Sequence, residues 1–167
     1  MNNMVLCKVC HHEVESMDRD GARNITLYSC SVCGEFGVTT PATIALERMS
    51  NEDRAKVSAY LRERALRQDP RVTLLSDSYT GSIDIPAVAI KDVLDSGFPQ
   101  SLADRLDRAL NNLYRMSTHL GAEIRLDERK DYPLLFAENA DAFKFIAETL
   151  REAGWLKLHP TFGPTQV

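Results

Sequence analysis

Two short cysteine motifs near the N-terminus, Cys7-Lys8-Val9-Cys10 and Cys30-Ser31-Val32-Cys33-Gly34, decide how the first part of this chain folds. The pattern C-x2-C, a spacer and a second C-x2-C is typical of a site in which four thiolates bind one zinc ion. Two residues between paired cysteines let one tight turn bring both sulfurs to the ion, at about 2.3 Å each. Gly34 follows the second pair, where such a turn commonly requires a positive φ. The sequence therefore predicts a zinc site formed by Cys7, Cys10, Cys30 and Cys33.

Other interpretations of the four cysteines fit less well. Two disulfides would require an oxidising compartment, and nothing in the sequence indicates export. A redox-active C-x-x-C pair normally adjoins a βαβ pattern, which the sequence lacks. An iron site of the rubredoxin type uses the same four thiolates and is the closest competitor. His11 and His12 are surplus to a complete set of sulfurs, so we expect them to lie outside the coordination shell.

A shell of four protein sulfurs leaves no position for water or substrate, so the predicted ion is structural rather than catalytic. Its binding free energy, about 10–16 kcal/mol in zinc-finger peptides, then stabilises a segment too small to fold alone.

Composition limits the classes of protein to which this chain can belong. At 167 residues it has room for a small metal module and one modest domain. The net charge is −4, before a further −2 for a Zn(Cys)4 centre, and so acidic a chain is a poor general binder of polyanions. No apolar run is long enough to span a bilayer, and the N-terminus lacks the form of a signal peptide. We expect a cytoplasmic location and no membrane partner.

The fold class that these patterns predict is α+β, with an N-terminal zinc ribbon followed by a mainly helical, winged-helix-like domain. The ribbon covers residues 1–40, with strands at 13–15, 24–29 and 35–39 and a turn at 18–21. Connecting helices cover 41–75: one follows Thr40-Pro41, with Thr40 as cap, and the next runs from Asn51 to Arg67. A linker or long loop is expected over 69–84, with a domain boundary near residue 75.

The winged-helix-like domain covers residues 76–167. A short helix starts at Ile85-Pro86, and an amphipathic helix runs from Ser101 to a stop at Gly121. A strand at 122–126, a brief helix at 134–138, a helix from Asn139 to Ala153 and a strand at 155–159 follow. Residues 160–167 read as a turn and a returning strand, so the chain stops partway through the wing, and we expect a fragment of a longer protein.

Two groups of basic residues are candidate contacts for nucleic acid or a protein partner. Arg62, Arg64, Arg67 and Arg71 form the most basic stretch, which either is a solvated helix end or contacts phosphates. Lys144, Arg151 and Lys157 lie on and after the helix that a DNA-binding winged helix would insert into the major groove. That helix also carries Asp141, Glu148 and Glu152, so the charge pattern favours protein contact over DNA binding.

The two cysteine pairs, Cys7-x2-Cys10 and Cys30-x2-Cys33-Gly34, together with several short sequence motifs, give the chain a family resemblance. It resembles the zinc-ribbon-plus-helical N-terminal regions of bacterial proteins whose C-terminal part is often a TIR-like or other effector domain, many of them associated with anti-phage defence. The resembling phrases are Ala59-Tyr60-Leu61-Arg62, Phe98-Pro99-Gln100-Ser101, Asp131-Tyr132-Pro133 and Glu152-Ala153-Gly154-Trp155-Leu156. The resemblance implies a sensory or regulatory module whose catalytic part lies elsewhere in the full protein.

No arrangement of residues points to catalysis. The predicted zinc shell is closed, and there is no glycine-rich phosphate loop and no G-x-S-x-G motif. His119 and His159 are single histidines at element ends, more often capping or surface residues than catalytic ones. Three hypotheses follow: a non-enzymatic sensor or adaptor that contacts a protein partner or an effector domain of the same chain, a zinc-dependent DNA-binding regulator, and an enzyme whose site the sequence does not reveal. A homo-oligomer is compatible with each.

Overall fold

A computed structural model describes residues 5–81, 83–119 and 121–157. The fold is mixed α/β and contains a five-stranded sheet. The strands are β1 (Ser16–Asp20), β2 (Ile25–Cys30), β3 (Gly34–Thr39), β4 (Val72–Leu75) and β5 (Ala87–Ala89). The helices are α1 (Thr40–Glu47), α2 (Asn51–Leu66), α3 (Ile90–Asp92), α4 (Leu102–Met116) and α5 (Ala140–Glu152), with a π-helical turn at Val93–Gly97 and a 3-10 helix at Tyr132–Leu135.

The sheet follows chain order, β1-β2-β3-β4-β5. The first three strands are antiparallel, β4 pairs in parallel with β3, and β5 pairs in parallel with β4. Helices α1 and α2 connect β3 to β4, as a parallel pair requires a long crossover. In the register of β2 and β3, Cys30 is opposite Gly34, so the second cysteine pair forms the end of this hairpin.

Apolar side chains form two main buried clusters. The larger one joins the sheet to α1 and α2 and extends to Ile90 and Val93. The second one joins α4, the 3-10 helix and α5. Between them Ala59 of α2, Phe98 and Phe136 form a small third cluster. Helix α2 therefore lies between the sheet and the C-terminal helices.

Several predicted elements are confirmed. Strands are present at 25–30 and 34–39, and α1, α2, α4 and α5 lie close to their predicted ranges. The caps of the three longer helices are Ser50, Ser101 and Asn139, whose side chains accept hydrogen bonds from the backbone N–H groups of Asp53, Asp104 and Ala142. These are the short polar side chains that N-cap positions favour.

Other predictions are wrong, each for a local reason. The first strand lies at 16–20, where a turn was expected, because the hairpin turn falls at 21–24 and leaves 16–20 free to pair with β2. Thr39, not Thr40, caps α1. Residues 72–75 form the buried strand β4 instead of part of a linker, so the boundary predicted near residue 75 separates two strands that pair in one sheet. Residues 87–89 are strand β5, and the helix expected from 85–86 begins only at Ile90.

The C-terminal part also departs from the predicted order. Helix α4 ends at Met116, short of the predicted stop at Gly121. Residues 122–126 form no strand, because they lie outside the sheet and have no paired neighbour there. The described residues 155–157 are not a strand either. The rest of that predicted strand and the wing at 160–167 lie outside the described residues.

Candidate metal centre

The four cysteines form one cluster. The sulfurs of Cys7, Cys10, Cys30 and Cys33 all lie within 4.8 Å of one another, and none forms a disulfide. The Cys7 and Cys33 sulfurs are 4.0 Å apart, and those of Cys10 and Cys30 are 3.5 Å apart. Metal–sulfur bonds of about 2.3 Å in a tetrahedron place sulfurs about 3.8 Å apart, a value between these two distances. The cluster could hold one metal ion.

The two cysteine turns have the same backbone form. The residue after the second cysteine of each pair is His11 in the first turn and Gly34 in the second, with φ of 60° and 84°. Hydrogen bonds from Cys7 N to His12 O (2.8 Å) and from His11 N to Cys7 O (3.0 Å) close the first turn. Glycine adopts this left-handed conformation freely, whereas histidine needs support from its surroundings.

Helix α2 contacts both turns through side chains spaced four residues apart. Arg54 Nη1 donates to the backbone oxygen of Lys8 at 2.9 Å, and Arg62 Nη1 donates to that of Ser31 at 3.1 Å. Lys8 and Ser31 occupy the same position in the two turns, directly after the first cysteine of each pair. Between the two arginines, Ser58 is fully buried and its Oγ lies 3.3 Å from the sulfur of Cys33.

Arg54 also supports the strained first turn. Its Nη1 lies 2.8 Å from Nε2 of His11, and because a guanidinium only donates, Nε2 accepts and the imidazole proton is on Nδ1. His11 is thus a support of the turn rather than a ligand, as the sequence suggested. Burial, together with the charges of Arg54 and Lys8, lowers the pKa of His11 and favours this neutral form.

Burial and crowding decide how the thiols ionise. Hydrogen bonds from Cys10 and Cys33 lower the pKa of Cys30, while burial raises the pKa of Cys33. Burial also raises the pKa of Tyr132, and the nearby cysteine sulfurs act in the same direction. Several thiolates this close together, three of them almost fully buried, need a cation to balance their charge. A divalent metal ion would supply that charge.

The basic residues predicted as contacts do not form one patch of free charge. A carboxylate lies within 4.0 Å of five of them: Asp131 for Arg62, Asp69 for Arg64 and Arg67, Glu128 for Lys144 and Glu148 for Arg151. Arg71 and Lys157 are exposed and have no such partner among the described residues. The first four residues lie on or just after α2, and the others lie on or after α5.

Sequence reasoning missed Arg54, Ser58 and the role of Arg62. The sequence pattern that could have revealed them is a row of three polar residues spaced four apart, next to the apolar positions Val57 and Leu61 of the same helix. In isolation such a spacing indicates a solvated stripe, and only the contact with the cysteine turns gives it another meaning.

Among the described residues, no helix has the length and apolar character needed to cross a membrane. Comparisons with protein-family models, with curated proteins and with solved structures found no match to this chain.

Proposed function

We propose that this chain is a non-enzymatic, zinc-binding sensor or adaptor module that regulates a bacterial effector in anti-phage defence, with catalysis in another part of the full protein. The observation that carries the proposal is the cluster of four cysteine sulfurs held against α2. With sulfur in all four positions, the ion has no open site for substrate and serves the structure. The effector and the defence role rest on the family resemblance.

Zinc is the metal we propose for the cluster. Four thiolates in a tetrahedron suit zinc or iron, and zinc is the usual ion of a closed structural site of this kind. In this proposal β1, β2, β3 and the two cysteine turns constitute a zinc ribbon, and α4, the 3-10 helix and α5 constitute a winged-helix-like unit. The hairpin of β2 and β3, which ends in the second cysteine pair, supports the first assignment.

Protein contact is favoured over DNA binding by the way in which the chain uses its cations. Phosphate binding depends on basic side chains that are free to neutralise several phosphates at once. Here five of the seven candidate cations already have a carboxylate of the same chain nearby, as described above. In addition Tyr114, Phe145 and Trp155 are 72%, 63% and 68% exposed. Aromatic residues are enriched at protein interfaces, so these side chains suit a protein partner or an effector domain.

The second candidate is a zinc-dependent, winged-helix DNA-binding regulator. Arg71 and Lys157 favour it, because both are exposed and neither has a carboxylate within reach among the described residues. This function would require these two residues and some of the paired cations to turn toward phosphates.

Fluorescence anisotropy with labelled duplex DNA at moderate salt separates the two candidates. The adaptor predicts no binding tighter than about 10 µM, as weak as non-specific binding. Sub-micromolar binding that weakens steeply with salt and is lost in an Arg71→Gln, Lys157→Gln variant would instead establish the DNA-binding regulator. Elemental analysis of the same preparation tests the metal: the proposal requires one zinc per chain, and folded protein without zinc contradicts it.

The defence role needs a test in cells. Cells that carry the intact gene should reduce plaque formation by at least one phage of a panel, and a Cys7→Ser, Cys33→Ser variant should lose this effect. A Ser31→Ala variant, altered in the same turn but not at a ligand, is the matched control. Equal plaque numbers with the wild-type gene, the cysteine variant and an empty vector across the panel would contradict the role.

A further inference from the structure

A cleft of about 790 Å³ lies beside the cysteine cluster, between the first cysteine turn, the start of α2 and the segment around the start of α5. Val9, Cys10 and Ala55 contribute to one side of it, and Tyr132 and Ala140 to the other. The volume is within the range of small-molecule sites in proteins. Neither the structural role of the ion nor the proposed protein partner accounts for an open cleft at this position.

Among the polar groups that line the cleft, the carboxylates have partners within the protein, whereas several hydrogen-bond donors do not. Each of the two carboxylates in its lining pairs with a cation of the chain: Glu52 with Lys56 at 2.9 Å, and Glu138 with Arg105 at 3.3 Å. The side-chain oxygen of Asn139 accepts from the backbone N–H of Ala142 at 2.9 Å. The carboxylate charges in the lining are therefore balanced inside the protein.

Several donors of the same lining have no partner within the part of the chain that the structure describes. Arg54 is more than nine-tenths buried; its Nε and Nη1 are bonded to protein atoms, and its Nη2 is not. Three further donors of the lining likewise have no partner among the described residues: Nδ1 of His11, the side-chain nitrogen of Asn139 and the guanidinium of Arg129.

Backbone N–H groups at the starts of two helices add further hydrogen-bond donors to the cleft. Asn51 and Glu52 begin α2, Ala140 begins α5, and all three residues line the cleft. The first N–H groups of a helix have no partner within the helix and carry its positive dipole end. Two helix starts, a buried arginine with a free Nη2 and an exposed arginine thus meet around one cleft.

We propose that this cleft binds a small organic anion through a phosphate or carboxylate group, with Arg129 and Arg54 as its cationic contacts. An acceptor-rich, negatively charged group satisfies the free donors, and the lining of Val9, Ala55 and Tyr132 accepts the organic part. The site goes beyond the proposed function, because it can exist whether or not the chain regulates an effector. If the chain is a sensor, this ligand is a candidate trigger.

Titration of the intact, 15N-labelled chain, purified without chelator and followed by NMR at constant ionic strength, tests the site. Inorganic phosphate and acetate separate the two anionic groups, and adenosine monophosphate against adenosine tests the need for the anion. We expect phosphate or acetate to shift the amide signals of Asn51 and Ala140, and adenosine monophosphate to bind more tightly than adenosine.

Arg129→Gln is the informative variant, since Arg129 is exposed and its loss does not disturb a core. It should weaken binding of the anion by about tenfold, the usual effect of removing one charge-assisted hydrogen bond. Arg125→Gln is the matched control, because Arg125 is an exposed arginine of the same segment outside the cleft. Absence of shifts with both anions, equal binding of adenosine and its monophosphate, or equal affinity of the two variants would overturn the proposal.

Discussion

The hydroxyl oxygen of Ser58 lies 3.3 Å from the sulfur of Cys33, and both residues are almost completely buried. The contact joins the middle of α2 to the second cysteine turn. A hydroxyl donated to a thiolate stabilises its negative charge, and such contacts around a metal site orient its ligands and tune its affinity. Ser58 therefore belongs to the immediate surroundings of the four-cysteine cluster, although it would not itself be a metal ligand.

Ser58→Ala should lower the affinity for zinc by about 10- to 100-fold, because the Cys33 thiolate loses its buried donor. Competition with a chromophoric chelator measures this affinity directly. Ser31→Ala is the control, since Ser31 is an exposed residue of the same cysteine turn. Equal zinc affinities for the two variants would mean that the Ser58 contact has no effect on the metal.

Gly34→Ala should destabilise the protein by about 2–4 kcal/mol, through a strained φ and steric overlap. The φ of Gly34 is 84°, and a Cβ at this position would lie 2.6 Å from the Cβ of Ala65. Chemical denaturation with the metal bound measures the change.

The double variant Gly34→Ala, Ala65→Gly separates the two causes. Removing the Ala65 methyl group relieves the overlap and leaves the φ strain, so part of the lost stability should return, less about 1 kcal/mol for glycine in a helix. A double variant as unstable as the sum of the two single variants would show that the close approach of α2 to the turn has no energetic consequence.

Arg108→Met should destabilise the protein by about 3–5 kcal/mol, because it leaves the buried Glu63 carboxylate without its main partner. Arg108 donates to both oxygens of Glu63, at 3.2 and 2.7 Å, and to the backbone oxygen of Gly97 at 3.0 Å. Its guanidinium also lies 4.5 Å from the ring centre of Phe136. Urea denaturation provides the free energy of unfolding.

A combined Glu63→Gln, Arg108→Met variant should lose less stability than the sum of the two single changes, because no charge then stays buried alone. Arg125→Met is the control for loss of an exposed arginine, with an expected change near zero. Additive losses in the combined variant would mean that the two side chains do not interact across α2 and α4.

Arg23→Gln should raise the pKa values of Asp20 and Asp84 toward their ordinary value of 3.8. Arg23 bonds both carboxylates, at 2.8 Å to Asp20 and at 2.9 Å to Asp84, and so favours their charged forms. Because the folded pKa values are lowered, this contribution to stability is present above the ordinary pKa and is lost as the pH falls through the lowered values.

Carboxyl 13C chemical shifts followed from pH 7 downward report both pKa values. Arg19→Gln is the control, since Arg19 lies on β1 next to the turn that carries Arg23 and contacts Asn24 instead of these carboxylates. Unchanged pKa values in the Arg23 variant would show that the contacts do not persist in solution.

The spacing of Cys7, Cys10, Cys30 and Cys33 was sufficient to predict the four-cysteine cluster, because a C-x2-C turn brings its own two sulfurs together and a metal site needs only two such turns. The helix N-caps Ser50, Ser101 and Asn139 could also be predicted from the sequence, since a cap is a contact between residues within four positions of each other. These features depend on the local backbone geometry of a few consecutive residues, which the types and spacing of those residues largely determine.

Tertiary structure alone decided the features that join distant residues. Val72–Leu75 looks like part of a linker until it pairs with β3, and Arg54, Ser58 and Arg62 look like a solvated stripe until the cysteine turns cover them. Strand pairing and side-chain contacts across 25 or more residues leave no periodic mark on the chain. The reason is physical: such contacts are selected by the fit of two surfaces, and neither surface exists before the chain has folded.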